Sequence, residues 1–198
     1  MLASSHRRIT AFTLLEVLIV IVIIGVLSGM MIPALEPSLG TQLQGVAGVL
    51  GRDVAYARNL AVVNNDNYKI TFDTDNNQWI LTHSGTNASL NALPTSAFHL
   101  PTDSPTQQIV GLNNLPNVGG AARLFAVWAL ATPPQTVSDL EFLPLGGTVR
   151  SQPTLIWISA GSGSSTRYIS VLINPVTGLY WVQNFQTTTP NTATYAGS

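Results

Sequence analysis

Hydrophobic and polar positions fall into three regimes along the chain. Residues 1–11, MLASSHRRITA, are largely polar, with Arg7 and Arg8 close ahead of a continuous apolar run. That run, FTLLEVLIVIVIIGVLSGMMI, covers 21 residues (12–32) and holds one charge, Glu16. As a helix it spans roughly 31 Å, about the hydrocarbon thickness of a bilayer. After Pro37 the pattern turns amphipathic. Leu39, Leu43, Val46, Leu50, Val54, Ala57 and Leu60 or Ala61 recur at spacings of three and four, while Arg52, Asp53 and Arg58 lie off that stripe. The spacing predicts one long helix continuing to about Val63, roughly 75–80 Å in all. Pro33, which has no N–H to donate, loosens or kinks it, and Gly25 and Gly29 weaken the same stretch by up to about 1 kcal/mol each. The turn formers Asn64-Asn65-Asp66-Asn67 end it.

From Tyr68 the period becomes two. YKITFD (68–73) and QWILTH (78–83) flank Thr74-Asp75-Asn76-Asn77 and read as a hairpin. RLFAVWAL (123–130), DLEFL (139–143), TLIWIS (154–159), RYISVLI (167–173) and LYWVQNF (179–185) are further strand candidates. Turn signals at Gly146-Gly147, Gly161 to Ser165, Asn174-Pro175 and Gly178 separate the later ones, so the strands are expected to form an antiparallel sheet. Residues 84–120 form a long, weakly patterned insertion. The expected organisation is a leader (1–11), an apolar helix (12–33), its amphipathic continuation (34–63), a β-rich domain (64–186) and a polar tail (187–198).

Composition sharpens this. The chain has 198 residues, 45% hydrophobic and 9% charged, against about 25% charged in an ordinary soluble domain. Two features account for the shortfall: the apolar run, and the stretch Ser84 to Ser138, whose charges are Asp103 and Arg123. There is no Cys, so disulfide, thiolate and lipoprotein chemistry are excluded.

The arginines precede the apolar run, and the next basic residue is Arg52. Positive-inside bias therefore places residues 1–11 in the cytoplasm and the rest outside. A secretory signal peptide cut after the run has a shorter apolar core and no carboxylate. A plain single-pass anchor gives Glu16 no purpose, and a buried core helix is shorter. A carboxylate in such a helix is costly and calls for a partner. Cleavage between Ala11 and Phe12 supplies one: the new α-amine of Phe12 lies four residues before Glu16, and between staggered helices Glu16 of one subunit meets the Phe12 amine of another.

The segment A-FTLLEVLIVIVIIGVLSGMMIP resembles the class III leader and N-terminal helix of type IV pilins and type II secretion pseudopilins. Phe12, Thr13, Leu14, Leu15 and Glu16 match the pattern position by position, with Ala11 standing where the family usually has Gly. The resemblance implies cutting before Phe12 and N-methylation there by a prepilin peptidase, assembly guided by Glu16, and a helix-breaking Pro33. Two further stretches narrow it. DVAYARNLAVVNNDNYKITF (53–72), with Ala57-Arg58 and Ala61, is similar to the helix end and first strand of GspH/FimT-type minor pseudopilins. LEFLPLGGTV (140–149) and RYISVLINPVTGLYWVQ (167–183) resemble that family's Phe-x-Pro-x-Gly segment and closing Thr-Gly hairpin. The implied fold is α+β, a long N-terminal helix packed on an antiparallel β-sheet domain. The implied partners are other pilins or pseudopilins, the peptidase, an inner-membrane assembly platform and membrane lipid before assembly. The implied place is the bacterial inner membrane, crossed once, with the C-terminal domain periplasmic.

Other chemistry is weakly signalled. His6, His83 and His99 are scattered, with no metal-binding spacing, and no cofactor is expected. GSGSS (161–165) is not a nucleophile elbow, no nucleotide loop occurs, and neither an enzyme nor a small-molecule substrate is expected. Asp73, Asp75 and Asn77 start like a calcium loop, but Gln78 and Ser84 stand where Gly and Glu belong, so a hairpin turn is the reading. Trp79, Trp128, Trp157 and Trp181 all fall in strands and read as packing residues, with a binding patch as the alternative. Removing residues 1–11 leaves 6 basic and 9 acidic residues, net −3, which opposes nucleic-acid binding. The expectation is a minor pseudopilin of a type II secretion system. The alternatives are a type IV pilus minor pilin, serving adhesion, motility or DNA uptake, and a membrane-tethered envelope domain that never polymerises.

Overall fold

The computed structural model describes residues 12–31, 38–94, 104–116 and 122–195. The chain divides into two units, Met1–Pro37 and Ser38–Ser198.

The first unit holds helix α1, Leu14–Met31. It passes through Gly25 and Gly29 without interruption, and Pro33 lies outside the described residues. Every large apolar side chain from Leu14 to Leu27 is exposed. The helix is apolar all round, so no single buried face accounts for its composition.

The second unit opens with helix α2, Leu39–Asn64. Here the expected single helix is corrected. Ser38 is non-helical, at φ −58° and ψ 152°. Its hydroxyl accepts from the Thr41 amide at 3.2 Å, so α2 starts afresh with its own N-cap. At the other end Asn65 adopts the left-handed conformation and donates its N–H to the Ala61 carbonyl. Leu43, Val46, Leu50, Val54, Ala57 and Ala61 are buried, the stripe the spacing predicted, joined by Ala47 and Gly51.

Among the described residues nine strands follow: β1 Tyr68–Asp73, β2 Gln78–His83, β3 Gln107–Gly111, β4 Ala122–Ala129, β5 Gln135–Thr136, β6 Asp139–Phe142, β7 Thr154–Ala160, β8 Arg167–Ile173 and β9 Tyr180–Val182. They form two sheets, not one: four strands in the order β3-β2-β1-β6, and five in the order β5-β4-β7-β8-β9. All neighbours run antiparallel. The short β5 ends the larger sheet, and after Val137 and Ser138 the chain joins the smaller one as β6. Alternation shows which side chains of a strand share a face, but not which strand it pairs with, so the split was hidden. The insertion is also corrected, since β3 lies inside it. Gln108 and Val110 face the core there, and an inward Gln breaks the expected alternation.

The inner faces of both sheets and the α2 stripe share one apolar core, with Tyr68, Ile70, Trp79, Leu140, Phe142, Ile156, Ile158, Val171 and Ile173 among its members. A second, smaller cluster joins Trp128, Leu155, Trp157 and Tyr168, so β7 is buried along its whole length. Trp128 and Trp157 meet edge to face, with ring centroids 6.1 Å apart. Gln186 exchanges two backbone hydrogen bonds of 2.9 Å with Tyr168, and Pro190 beyond it is buried.

Candidate assembly site

At the start of α1 the Glu16 amide donates to the Thr13 carbonyl at 3.1 Å and approaches the Thr13 hydroxyl at 3.3 Å. Thr13 thus occupies the N-cap, and Glu16 stands in the first turn, where a carboxylate opposes the positive end of the helix dipole. Sequence reasoning gave Thr13 no role of its own. The signal was present: Thr-x-x-Glu ahead of an apolar run is the capping-box pattern. Phe12 and Glu16 are both exposed. Ala11 lies outside the described residues.

In the second unit three separate stretches converge on Arg58. Its Nε donates to the carbonyl of Thr177 at 2.7 Å and to that of Gly146 at 3.2 Å. The Ala-Arg pair of α2, the Leu-Pro-Leu-Gly-Gly turn after β6 and the Thr-Gly turn after β8 are therefore parts of one knot. Gly146 and Gly178 both have positive φ, 83° and 65°, and a Cβ on Gly178 would run into the Gly146 carbonyl. The Thr148 amide donates to the Pro175 carbonyl at 2.7 Å, and Asn174 Oδ1 accepts from the amides of Val176 and Thr177.

Three further polar contacts were not anticipated. Trp79 Nε1 donates to Asp53 Oδ2 at 2.7 Å, and burial pushes the Asp53 carboxyl above its ordinary value. His83 lies 3.0 Å from Asp66 Oδ2 through Nε2 and 2.8 Å from Asn91 Oδ1 through Nδ1. Asp66 also accepts from the amides of Asn87 and Asn67, which hold its carboxyl below its ordinary value, so the start of the insertion is tied to the end of α2. Buried Asn77, at φ 56°, bonds to Ala122 and Leu124 of β4.

Asp73 uses its carboxylate to hold Asn76 and Gln78, as a turn does. Among the described residues no three His, Asp or Glu side chains lie where they could hold a metal ion. A cleft of about 460 Å³ opens beside the β4 bulge, lined by Phe72, Thr74, Phe125, Thr136 and Ser138; Arg150 at its edge is engaged by Asp139.

Residues 6–32 match the family model of the prokaryotic N-terminal methylation motif. No curated protein matches the chain in sequence. Among solved structures, the chain is similar to the minor pseudopilin EpsH from the Type 2 Secretion System of Vibrio cholerae, at 10% identity and a TM-score of 0.47, over 72% of this chain and 96% of that one. It is also similar to the Pseudomonas aeruginosa (strain PAO1) type IV minor pilin FimU. In one crystal form the identity is 16% and the TM-score 0.40, covering 74% and 88% of the two chains; in another these are 17% and 0.38, covering 72% and 93%. The chain carries the prokaryotic N-terminal methylation motif at residues 6–32 and an α+β domain of a helix on antiparallel sheets.

Among the described residues no helix is long and apolar enough to cross a membrane. α1 covers 18 residues, against the roughly 20 that a span requires, whereas the apolar run in the sequence is 21 residues long.

Proposed function

We propose that this chain is a minor pseudopilin of a type II secretion system. It is made as an inner-membrane precursor with residues 1–11 in the cytoplasm, and it is cut and methylated at Phe12. The run 12–32 holds it in the bilayer, with Gly25, Gly29 and Pro33 as the points where the helix yields. Assembly then moves it into a filament in which apolar helices replace lipid and Glu16 meets the Phe12 amine of a neighbour. The role is structural and not enzymatic. The β-domain stands on the outside of the filament.

The observation that carries this reading is the methylation motif over 6–32, within which Leu14–Met31 form a helix apolar on every side with its single carboxylate in the first turn. Such a helix needs apolar surroundings all round, which lipid or a bundle of like helices supplies. The carboxylate needs a cation once water is gone. The test is mass spectrometry of the native protein together with Glu16→Ala. We expect methylated Phe12 as the N-terminus, and a variant that is cut and folded yet missing from filaments. Residues 1–11 still attached, or Glu16→Ala filaments at the wild-type level, would sink the reading. Deleting the gene separates the two machines: loss of exported protein marks the secretion system, and loss of pili marks the type IV pilus.

A further inference from the structure

Asn87 opens the sequence Asn-Ala-Ser (87–89), and no other asparagine of the chain has Ser or Thr two residues on. That spacing is the acceptor pattern for N-linked sugars on exported proteins. A pattern this short arises readily by chance, so its surroundings decide what it is.

The pattern lies just after the β1–β2 hairpin, at the start of the insertion, and residues 86–89 are all exposed. The Asp66 carboxylate accepts from the Asn87 amide at 3.0 Å, which holds the main chain here against the end of α2. Asn87 caps a short 3-10 turn, Ala88–Leu90, through Oδ1. That oxygen accepts from the Ser89 amide at 3.2 Å and from the Ser89 hydroxyl at 2.7 Å. The fold therefore uses the oxygen of the carboxamide, and an Asp or a Ser would cap the turn as well. The nitrogen serves no such purpose: Nδ2 makes no hydrogen bond among the described residues.

The Ser89 hydroxyl also prepares that nitrogen for reaction. An O–H donated to Oδ1 stabilises the charge that the oxygen takes on as Nδ2 gives up a proton. The surface around the site points the same way. From Ser84 to Ser138 the charges are Asp103 and Arg123, and the whole chain is 9% charged. A sugar is bulky and strongly hydrated, and it gives such a surface the solubility that charge does not.

We infer that Asn87 is a site of N-linked glycosylation. The co-substrate is a glycosyl diphosphate, in which a sugar is activated on a diphosphate carried by a polyprenyl lipid or by a nucleoside. Nδ2 attacks the anomeric carbon. The new N–C bond forms as the C–O bond to the diphosphate breaks, and the diphosphate leaves with the electron pair. The proton of Nδ2 passes to a base of the transferring enzyme. The inference rests on the reading above, which exports this domain.

The test is glycopeptide mass spectrometry of the full-length chain from the cells that make it. A sugar is expected on Asn87. Ser89→Ala is expected to lower its occupancy about tenfold or more, because the hydrogen bond to Oδ1 is gone. Ser89→Thr is expected to keep the sugar. Asn87→Asp keeps the capping oxygen and is expected to carry none; should it fail to fold, the two Ser89 variants decide. In a second arm, the unmodified full-length chain is purified in detergent and mixed with a delipidated extract of those cells. Labelled sugar is supplied either as the polyprenyl diphosphate or as the nucleoside diphosphate, and the donor that labels Asn87 identifies the source. Bare Asn87 on a chain cut before Phe12 overturns the inference and leaves the secretion reading standing. So does a sugar whose occupancy is unchanged in Ser89→Ala. A chain that keeps residues 1–11 overturns the secretion reading, and this inference falls with it only if Asn87 is bare as well.

Discussion

The side-chain carbonyl of Asn77 accepts from the Leu124 amide at 2.7 Å, joining the β1–β2 turn of one sheet to β4 of the other. The same carboxamide donates to the Ala122 carbonyl at 3.0 Å. Asn77 is buried and left-handed, a conformation that Asn tolerates better than other non-glycine residues.

Asn77→Ala strands both buried main-chain groups and keeps a Cβ in a left-handed site. It is expected to cost about 2–4 kcal/mol in urea unfolding of the detergent-solubilised chain. A loss under about 1 kcal/mol would mean that the sheets are coupled elsewhere.

The Arg58 knot predicts an order of damage. Arg58→Ala removes a donor from two carbonyls and is expected to cost about 1–3 kcal/mol. Gly178→Ala is expected to cost more, because the turn must give up its positive φ or its contact with Gly146. Hydrogen exchange should quicken at the Thr148 and Gly178 amides in both variants. Wild-type exchange at these amides in Gly178→Ala contradicts the knot.

Burial is the main cause that raises the Asp53 carboxyl above 3.8, with Trp79 and Arg52 pulling it back. A raised acid binds its proton more tightly folded than unfolded. Its contribution to stability is therefore full below the unfolded value and fades as pH rises through the folded one. Asp53→Asn keeps an acceptor for Trp79 Nε1 and is expected to melt above the wild type at pH 7, with the gap closing near pH 3. Asp53→Ala leaves the indole N–H without its acceptor and is expected to lose about 1–3 kcal/mol at pH 7. A wild-type melting profile for Asp53→Asn across this range defeats the argument.

Asp66 has the opposite sign. The amides of Asn87 and Asn67, and then His83, hold its carboxyl below 3.8. A lowered acid stabilises above the unfolded value, and that stability is lost as pH falls through the folded one. Asp66→Asn turns donors toward the Asn87 amide, so residues 84–91 should exchange faster than wild type at pH 7 and equally fast at strongly acid pH. Equal exchange at pH 7 would show that the carboxylate does not tether this segment.

Much of the fold was legible because it is local. β1, β2 and β8 occupy the residues whose alternation and flanking turns marked them, and the buried face of α2 is the stripe read from its spacing. The cap at Ser38 was missed because the apolar pattern on either side invites one continuous helix. A single hydroxyl reaching the Thr41 amide decides otherwise. β3 was missed because Gln108 takes an inward place where an apolar residue is expected. At the start of α1 the spacing singled out Phe12 and Glu16 as candidates, whereas the Thr13 cap, although signalled by Thr-x-x-Glu, became plain with the geometry of the helix start.

The chain alone determined that an apolar run with one carboxylate precedes an amphipathic helix and a series of strands, because each of these is a periodicity carried by residues near one another. Only the tertiary structure decided that the strands divide between two sheets, that Arg58 gathers two turns 88 and 119 residues away, and that Asn77 meets Leu124 across 47. Period and propensity report which face of an element is apolar. Partners brought together by chain closure leave no period behind, since any residue able to complete the hydrogen bonds at that distance satisfies the same physics.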